Sequence, residues 1–154
     1  MEVLTIPFYE QNTDYTCGPA SLRMVLAYYG RSIPEEELVP LLGTNDAMGT
    51  ERNRMGEIIK SHNLIPFEQT DATLDDLRHL LQNQMPVIVR YLEEEENSDH
   101  YGVVVGINDT HIILNDPWFG PDRRHELGTF LIRWPCTHEK GQTCWMLGVG
   151  DREL

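Results

Sequence analysis

The sequence places a cysteine where a reactive thiol would be stabilised. Cys17 ends a polar loop and directly precedes a helix that Pro19 is suited to open. Backbone N–H groups and the helix dipole at such a position favour the thiolate, which is the nucleophilic form of cysteine. The alternative interpretation of a lone cysteine is a small buried hydrophobic residue. The choice between the two therefore depends on which groups lie near Cys17.

A histidine and an aspartate are predicted to lie side by side on a β-hairpin. His100 precedes the strand Tyr101–Ile107, and a turn rich in Asn and Asp then leads into a second strand, His111–Leu114. A tight turn between these strands puts Tyr101 opposite Asp116 and keeps His100 next to Asp116 at the open end. A carboxylate there can hold the far nitrogen of the imidazole and favour the imidazolium that pairs with a thiolate.

A glutamine in the same loop as the cysteine adds an oxyanion donor. The side-chain N–H of Gln11 and the backbone N–H of Cys17 can flank a developing negative charge. Taken alone, Gln11 is also explained as a loop residue that caps the backbone. Together with His100 and Asp116, these residues predict acyl transfer through a thioester, with no metal and no organic cofactor.

The chain changes from helical to strand-like patterns near its middle. Apolar residues recur at i, i+3, i+4 and i+7 from Leu22 to Tyr29 and predict one buried helix face after Cys17. The other predicted elements are helices after Pro34, over Glu51–Ser61 with Thr50 as cap, and from Thr73 with a capping box to Asp76, and strands at Val3–Phe8, Pro86–Leu92 and Trp145–Val149. This order predicts an α+β fold with N-terminal helices packed on a C-terminal antiparallel sheet.

Length, composition and charge exclude several classes of protein. The 154 residues predict a single domain over residues 1–154, and 40% hydrophobic with 24% charged residues is a globular mixture. A formal charge of −13 argues against a nucleic-acid partner. No apolar run is long enough for a membrane span, so no membrane partner is expected. Three cysteines and an N-terminus without the pattern of a secretion signal predict the cytoplasm.

Two other groups of residues leave alternatives open. Cys136, His138 and Cys144, with His125 as a fourth ligand, suggest zinc, but their spacing matches no standard zinc pattern. A disulfide between the two cysteines and a pair of free thiols beside a loop are the competing interpretations. The carboxylate run Glu93–Glu96 is typical of a solvated loop, and the alternative is an acidic rim that attracts basic substrates.

Several segments resemble the bacteriocin-processing cysteine peptidases, which are the double-glycine leader peptidases of cysteine peptidase family 39, and their stand-alone relatives. The similar segments are Ile6–Gln11, Tyr15–Leu22, Leu26–Gly30, Pro86–Val89, His100–Val104 and Asn115–Gly120, with Phe130 and Trp134. The resemblance implies a papain-like fold and a peptide or protein substrate. It also implies Gln11 as oxyanion donor and Cys17, His100 and Asp116 as a catalytic triad.

The function predicted from these residues is hydrolysis of a peptide or amide bond by a cysteine peptidase. Thr16 stands where transporter-linked members of the family often have Asp, and Ser21 stands where they often have a second Cys. Two alternatives therefore stay open. One is a catalytically silent module that binds peptides in the same cleft. The other is an acyltransferase or amidase that uses the same residues on a different acceptor or substrate.

Overall fold

The computed structural model describes residues 3–135 and 144–154, which form a mixed structure of helices and one antiparallel sheet. Within these residues there are five α-helices: α1 Cys17–Tyr28, α2 Glu35–Leu42, α3 Met55–Ser61, α4 Leu74–Gln82 and α5 Leu127–Arg133. The six strands within the same residues are β1 Ile65–Gln69, β2 Val87–Leu92, β3 Asp99–Ile107, β4 His111–Asp116, β5 Gly120–Glu126 and β6 Met146–Gly150. They are ordered β1-β6-β2-β3-β4-β5, and each neighbouring pair is antiparallel. The predicted α+β class is confirmed.

Helix α1 lies against β3 and fills one face of the sheet, as its apolar repeat predicts. Leu22, Val25 and Leu26 are completely buried in the core on that face. The helix ends at Tyr28, and Gly30 follows with a φ of +79°, a conformation that glycine adopts without steric penalty. This packing fixes the first residue of α1, Cys17, against one end of the sheet.

The central strands are buried on both faces, which explains why they read as nearly continuous apolar runs. Along β2, Ile88 belongs to the core under α1, whereas Val87 and Val89 belong to a second core on the opposite face. Helices α4 and α5 cover that second face, and Phe130 and Trp134 are its large buried side chains. The sheet thus separates two cores and holds the ends of its strands rigidly.

The capping box predicted for α4 is present. The Thr73 hydroxyl accepts from the Asp76 backbone N–H at 3.2 Å, and the Asp76 carboxylate accepts from the Thr73 backbone N–H at 2.8 Å. No helix in the described part of the chain is both long enough and apolar enough to cross a membrane.

Some predicted elements differ from the observed ones. Residues 3–8 are not a strand, because one backbone bond joins them to the sheet, from the Leu4 N–H to the Val105 carbonyl at 2.8 Å. The Asn115 side chain donates to the Ile6 carbonyl at 3.4 Å. The helix expected from Glu51 is split into a 3-10 turn, Arg52–Arg54, and α3. Thr50 does not cap it, because its hydroxyl is hydrogen-bonded to Thr44 at 2.8 Å. Strands β1 and β5 and helix α5 were not predicted, since none has a clear apolar repeat.

The hairpin that carries the histidine forms, but its register differs from the tight-turn prediction. Ile107 pairs with Ile112, and a bulge between Val104 and Gly106 shifts the pairing again, so that Val103 lies opposite Asn115. The predicted pairing of Tyr101 with Asp116 is therefore wrong. The turn is longer because the Asn108 side chain accepts backbone N–H bonds and closes a wider loop.

Candidate active site

Cys17 is the first residue of α1, and its approach loop is held by side-chain hydrogen bonds. The hydroxyl of Thr16 is buried and accepts from the Thr13 backbone N–H at 3.1 Å. The carboxylate of Glu35, at the start of α2, accepts from the Asn12 backbone N–H at 3.1 Å. These bonds fix the loop in front of the helix, so the half-buried thiol sits beside the unpaired N–H groups of the first turn.

His100 and Asp116 are joined by a hydrogen bond, as the hairpin argument predicts. The Nε2 atom of His100 lies 2.8 Å from Oδ1 of Asp116, and both residues are buried. The same Oδ1 accepts from the backbone N–H groups of Trp118 and Phe119, at 2.9 and 3.0 Å. The turn after β4 therefore supplies additional donors that keep this carboxylate ionised and in place.

The electrostatics of the pair favour a protonated imidazole. Burial alone would lower the pKa of His100, but hydrogen bonds and charges from Asp116 and Cys17 outweigh it and raise the pKa from 6.5 to about 10. For Asp116, burial would raise the pKa of the carboxyl, but the bond to His100 and the other donors lower it below its ordinary value. An imidazolium and a carboxylate are thus the stable forms at neutral pH.

Cys17 lines the same cleft as His100. The thiol is among the groups that raise the pKa of His100, after Asp116. Because Nε2 is engaged with Asp116, Nδ1 is the ring nitrogen that is available to the sulfur. The fold therefore brings Cys17 and His100, far apart in sequence, to one cleft, with Asp116 bonded to the histidine.

Gln11 lies in the same cleft and is 6% exposed. Its backbone N–H donates to the Pro117 carbonyl at 3.0 Å, which ties the Gln11 loop to the turn after Asp116. Its side-chain Nε2 donates one N–H to the Thr13 carbonyl at 2.6 Å, while Oε1 is buried without a partner. The amide nitrogen carries a second N–H, and the bond to Thr13 fixes the side chain in the cleft that Cys17 also lines.

These residues line a cleft of about 450 Å³. One wall is a loop over residues 45–50, with the exposed Met48 near its tip, and another carries the partly exposed Trp118. The lining carries more carboxylates than cations: it contains Asp14, Asp46, Glu96 and Asp99 together with Arg90 and His100. The Arg90 guanidinium pairs with Asp99 at 3.2 Å, which leaves the cleft with an excess of negative charge.

The carboxylate run before His100 is mostly structural. Glu93 is buried, and its Oε2 accepts from the backbone N–H groups of Glu95 and Glu96, so it closes the turn between β2 and β3. Glu94 and Glu95 face His125 and Arg123 on β5. Of the four glutamates, Glu96 lines the cleft. The run as a whole therefore does not form an acidic rim.

Of the residues considered for zinc, the structure describes His125 and Cys144. Cys136 and His138 lie outside the described residues, as does any disulfide that involves Cys136. Cys144 is a half-buried free thiol, and burial, with the Asp71 carboxylate adding to it, raises its pKa. Among residues 3–135 and 144–154, no three His, Cys, Asp or Glu side chains cluster as metal ligands.

One residue of the site has no signal in the sequence. Tyr91, on β2, donates its phenolic O–H to Oδ2 of Asp116 at 2.5 Å. In the sequence it reads as one more apolar residue of a buried strand. Its contact depends on the register that pairs Tyr91 with His100, which no local pattern reveals.

Comparison with known proteins gives a consistent family assignment. The profile of the Peptidase_C39 like family matches residues 3–141. An uncharacterized protein of Methanothermobacter marburgensis is 32% identical over 111 residues, which cover 71% of this chain and 70% of that protein. A mesentericin transport/processing ATP-binding protein of Leuconostoc mesenteroides is 32% identical over 116 residues, which cover 73% of this chain and 15% of that longer protein.

A solved structure shows the same fold. The double glycine motif protease from an AMS/PCAT transporter, in complex with its leader peptide, matches with a TM-score of 0.72. The match covers 97% of this chain and 94% of that chain at 21% identity. The resemblance noted in the sequence and the helix-plus-sheet fold expected from it are thereby confirmed.

Proposed function

We propose that this chain, which belongs to the Peptidase_C39 like family, is a cysteine peptidase whose nucleophile is Cys17. In this proposal His100 is the general acid and base, Asp116 orients its ring, and Gln11 donates to the oxyanion. The observation that carries it is the hydrogen bond between Nε2 of the buried His100 and Oδ1 of Asp116, at the cleft that Cys17 and Gln11 also line. Family and fold support peptidase chemistry independently of these four residues.

The proposed reaction uses the ion pair of a thiolate and an imidazolium. The Cys17 sulfur attacks the carbonyl carbon of the scissile bond, and a tetrahedral oxyanion forms. His100 gives its proton to the leaving amine as the C–N bond breaks, which leaves a thioester on Cys17. His100 then takes a proton from water, and the hydroxide attacks the thioester to release the acid and regenerate the thiolate.

The oxyanion is stabilised in this scheme by two N–H groups. One is the backbone N–H of Cys17 in the first turn of α1, and the other is the second N–H of the Gln11 amide. Donors that are already fixed before the reaction require little reorganisation as charge develops. The bonds of Gln11 to Thr13 and Pro117 supply that rigidity.

The proposed substrates are peptides, with basic segments favoured. The carboxylates of Asp14, Asp46 and Glu96 line the cleft, where they would attract Lys and Arg side chains. The structurally similar transporter protease was solved with a leader peptide, which supports peptide binding by this fold. We also propose the cytoplasm as the compartment, because a thiol nucleophile persists there in reduced form.

Selective alkylation of Cys17 is the direct test of the ion pair. At neutral pH, iodoacetamide should label Cys17 faster than Cys144, because burial raises the pKa of the Cys144 thiol. His100→Ala should remove that selectivity, whereas His79→Ala, at an exposed position of α4, should keep it. Peptide mapping by mass spectrometry measures both rates in one sample. Equal labelling of Cys17 in wild type and His100→Ala would contradict the proposal.

Cleavage itself is tested with a library of peptides and mass spectrometry of the products. Cys17→Ala should abolish turnover, and His100→Ala should lower it by roughly 10²- to 10⁴-fold, the usual contribution of a general acid–base. Peptides that are retained by Cys17→Ala but never cleaved by wild type would instead identify a binding module. Products joined to an added amine would identify an acyltransferase.

A further inference from the structure

A buried phenol contacts the carboxylate that His100 uses. The Oη atom of Tyr91 lies 2.5 Å from Oδ2 of Asp116, whereas His100 bonds to Oδ1. Tyr91 is 1% exposed, so the bond is made away from water. In the sheet Tyr91 lies directly opposite His100, with the two rings in an edge-to-face contact at 6.1 Å. The two residues that hold Asp116 are therefore a cross-strand pair.

The phenol crosses the intervening strand at a glycine. Gly102 lies on β3, between the strand that carries Tyr91 and the strand that carries Asp116. A Cβ atom on Gly102 would lie 3.4 Å from the Tyr91 ring and 3.5 Å from the Asn115 carbonyl. Both distances are ordinary van der Waals contacts, and the phenol passes over Gly102 between β2 and Asp116 on β4. Phe130, at 6.0 Å, packs against the ring and holds it there.

We propose that Tyr91 is a positioning residue that keeps Asp116 ionised and turned toward His100. The proposal rests on the proposed function, in which Asp116 orients the imidazolium of His100 for Cys17. Oδ1 receives the imidazole and two backbone N–H groups, and Tyr91 supplies the donor to Oδ2. Without that donor, a buried carboxylate oxygen would lose its hydrogen bond, and the carboxyl would protonate more readily.

The surrounding charges keep the phenol in its donating form. Burial raises the pKa of Tyr91 well above its ordinary value, and the charge of Asp116 raises it further. The other ionisable groups around Tyr91 are His100 on β3, Glu93 at the end of β2, and Arg123 and His125 on β5. Glu93 acts in the same direction as Asp116, and Arg123 acts against them.

The test replaces the hydroxyl and keeps the ring. In Tyr91→Phe, the Asp116 carboxyl should titrate about one to two pH units higher than in wild type, because a hydrogen bond to a charged group is lost. Carboxyl carbon NMR, assigned with Asp116→Asn, measures this titration in the whole protein without any substrate. The acidic limb of the pH profile of Cys17 alkylation should move upward in the same direction.

A matched control separates this role from general stability. Tyr29→Phe likewise removes a hydroxyl that donates a hydrogen bond, in this case to the Val149 carbonyl at 2.7 Å. This variant should leave the Asp116 titration unchanged. If Tyr91→Phe does not fold, 3-fluorotyrosine at position 91 keeps ring and hydroxyl and makes the donor stronger, so Asp116 should titrate lower. An unchanged Asp116 titration in the folded variant overturns the proposal. Because the titration needs no turnover, a protein that cleaves no peptide would refute the proposed function and leave this result standing.

Discussion

At the scale of single residues, Asp116 is the side chain that organises the site. It accepts from His100, Tyr91 and the backbone N–H groups of Trp118 and Phe119. The pairing with His100 could be predicted, because two residues at the open end of a hairpin stay close even when the register slips. The contact with Tyr91 could not, because it crosses a strand and depends on the order and register of three paired strands.

The raised pKa of His100 predicts how stability depends on pH. Burial opposes the imidazolium, but Asp116 and Cys17 outweigh it and raise the pKa from 6.5 to about 10 in the folded protein. The stabilisation is therefore complete below pH 6.5 and is lost as the pH rises through about 10. Urea unfolding between pH 6 and 10 should show a free energy of unfolding that decreases in wild type by several kcal/mol, since each unit of pKa shift corresponds to about 1.4 kcal/mol.

The comparison for this experiment is a pair of histidine variants. His100→Gln should lack most of that decrease, because it has no titrating ring at this position. His79→Gln, at an exposed position of α4, should keep it. A slope in His100→Gln that equals the slope of wild type would show that other groups cause the pH dependence.

At the scale of elements, the cleft depends on the contact between α1 and the 45–50 loop. Gly18 follows Cys17 in the helix, and a Cβ atom on it would lie 2.5 Å from the Cβ atom of Thr50. The loop is also held by the bond between Thr44 and Thr50, at 2.8 Å, and by the Tyr101 hydroxyl, which donates to the Thr50 carbonyl at 3.0 Å. The wall of the cleft is therefore placed directly against the first turn of the helix.

Adding one methyl group to Gly18 should displace this wall. Gly18→Ala should reduce the free energy of unfolding by about 1–3 kcal/mol, since the added atom meets a Cβ atom that no rotamer change can move. It should also lower kcat/KM, because residues 45–50 line the cleft. Urea unfolding and the peptide assay measure the two effects.

A second glycine in a helix provides the control. Gly128 lies in α5, and a Cβ atom there has nothing within 4 Å. Gly128→Ala should leave stability unchanged or raise it by up to about 1 kcal/mol, because alanine favours helix. Thr50→Gly should restore stability when combined with Gly18→Ala. Equal destabilisation by both alanine variants would contradict the proposed contact.

The elements that the sequence revealed are those with a strong periodic or capping signal. The buried repeat of α1 and the box of Thr73 and Asp76 are local patterns, and both were found where predicted. Strand β5 is largely exposed and polar, so it carries no such signal. Strand β5 forms because its backbone pairs with the edge of β4, and a short connection brings Gly120 opposite Asp116. Whether such a polar strand forms depends on its pairing with a neighbouring strand, and a single sequence does not show that pairing.

At the scale of the whole molecule, negative charge dominates both the overall composition and the lining of the cleft. The formal net charge is −13, and carboxylates outnumber cations in the lining of the cleft. Composition alone predicts an acidic protein, and the sequence analysis gave an acidic rim at Glu93–Glu96 as the alternative to a solvated loop. The structure instead draws the cleft carboxylates from separate loops: Asp14, Asp46, Glu96 and Asp99.

This distribution predicts a salt-dependent preference for basic peptides. A Lys-rich peptide should be cleaved with a higher kcat/KM than an acidic peptide of the same length, and the ratio should shrink as salt rises. Screening acts over about 10 Å at 0.1 M salt, which is comparable to the size of the cleft. Assays at low and high ionic strength measure the ratio.

Neutralising one carboxylate at a time locates the effect. Asp46→Asn should reduce the preference, because Asp46 lines the cleft. Asp109→Asn changes the net charge by the same amount but lies in the turn at the opposite end of β3 from His100, and it should leave the preference intact. Identical rates for basic and acidic peptides at low salt would exclude electrostatic selection by the cleft.

The oxygen that holds the histidine also holds one wall of the cleft. Oδ1 of Asp116 receives Nε2 of His100 and, at the same time, the main chain of Trp118, whose indole lies on the cleft. Protonating that single atom would weaken both attachments in one event. At acid pH the imidazole would then lose its partner and the Trp118 wall of the cleft would loosen. The proposed cleavage and the binding of substrate should therefore weaken with the same apparent pKa.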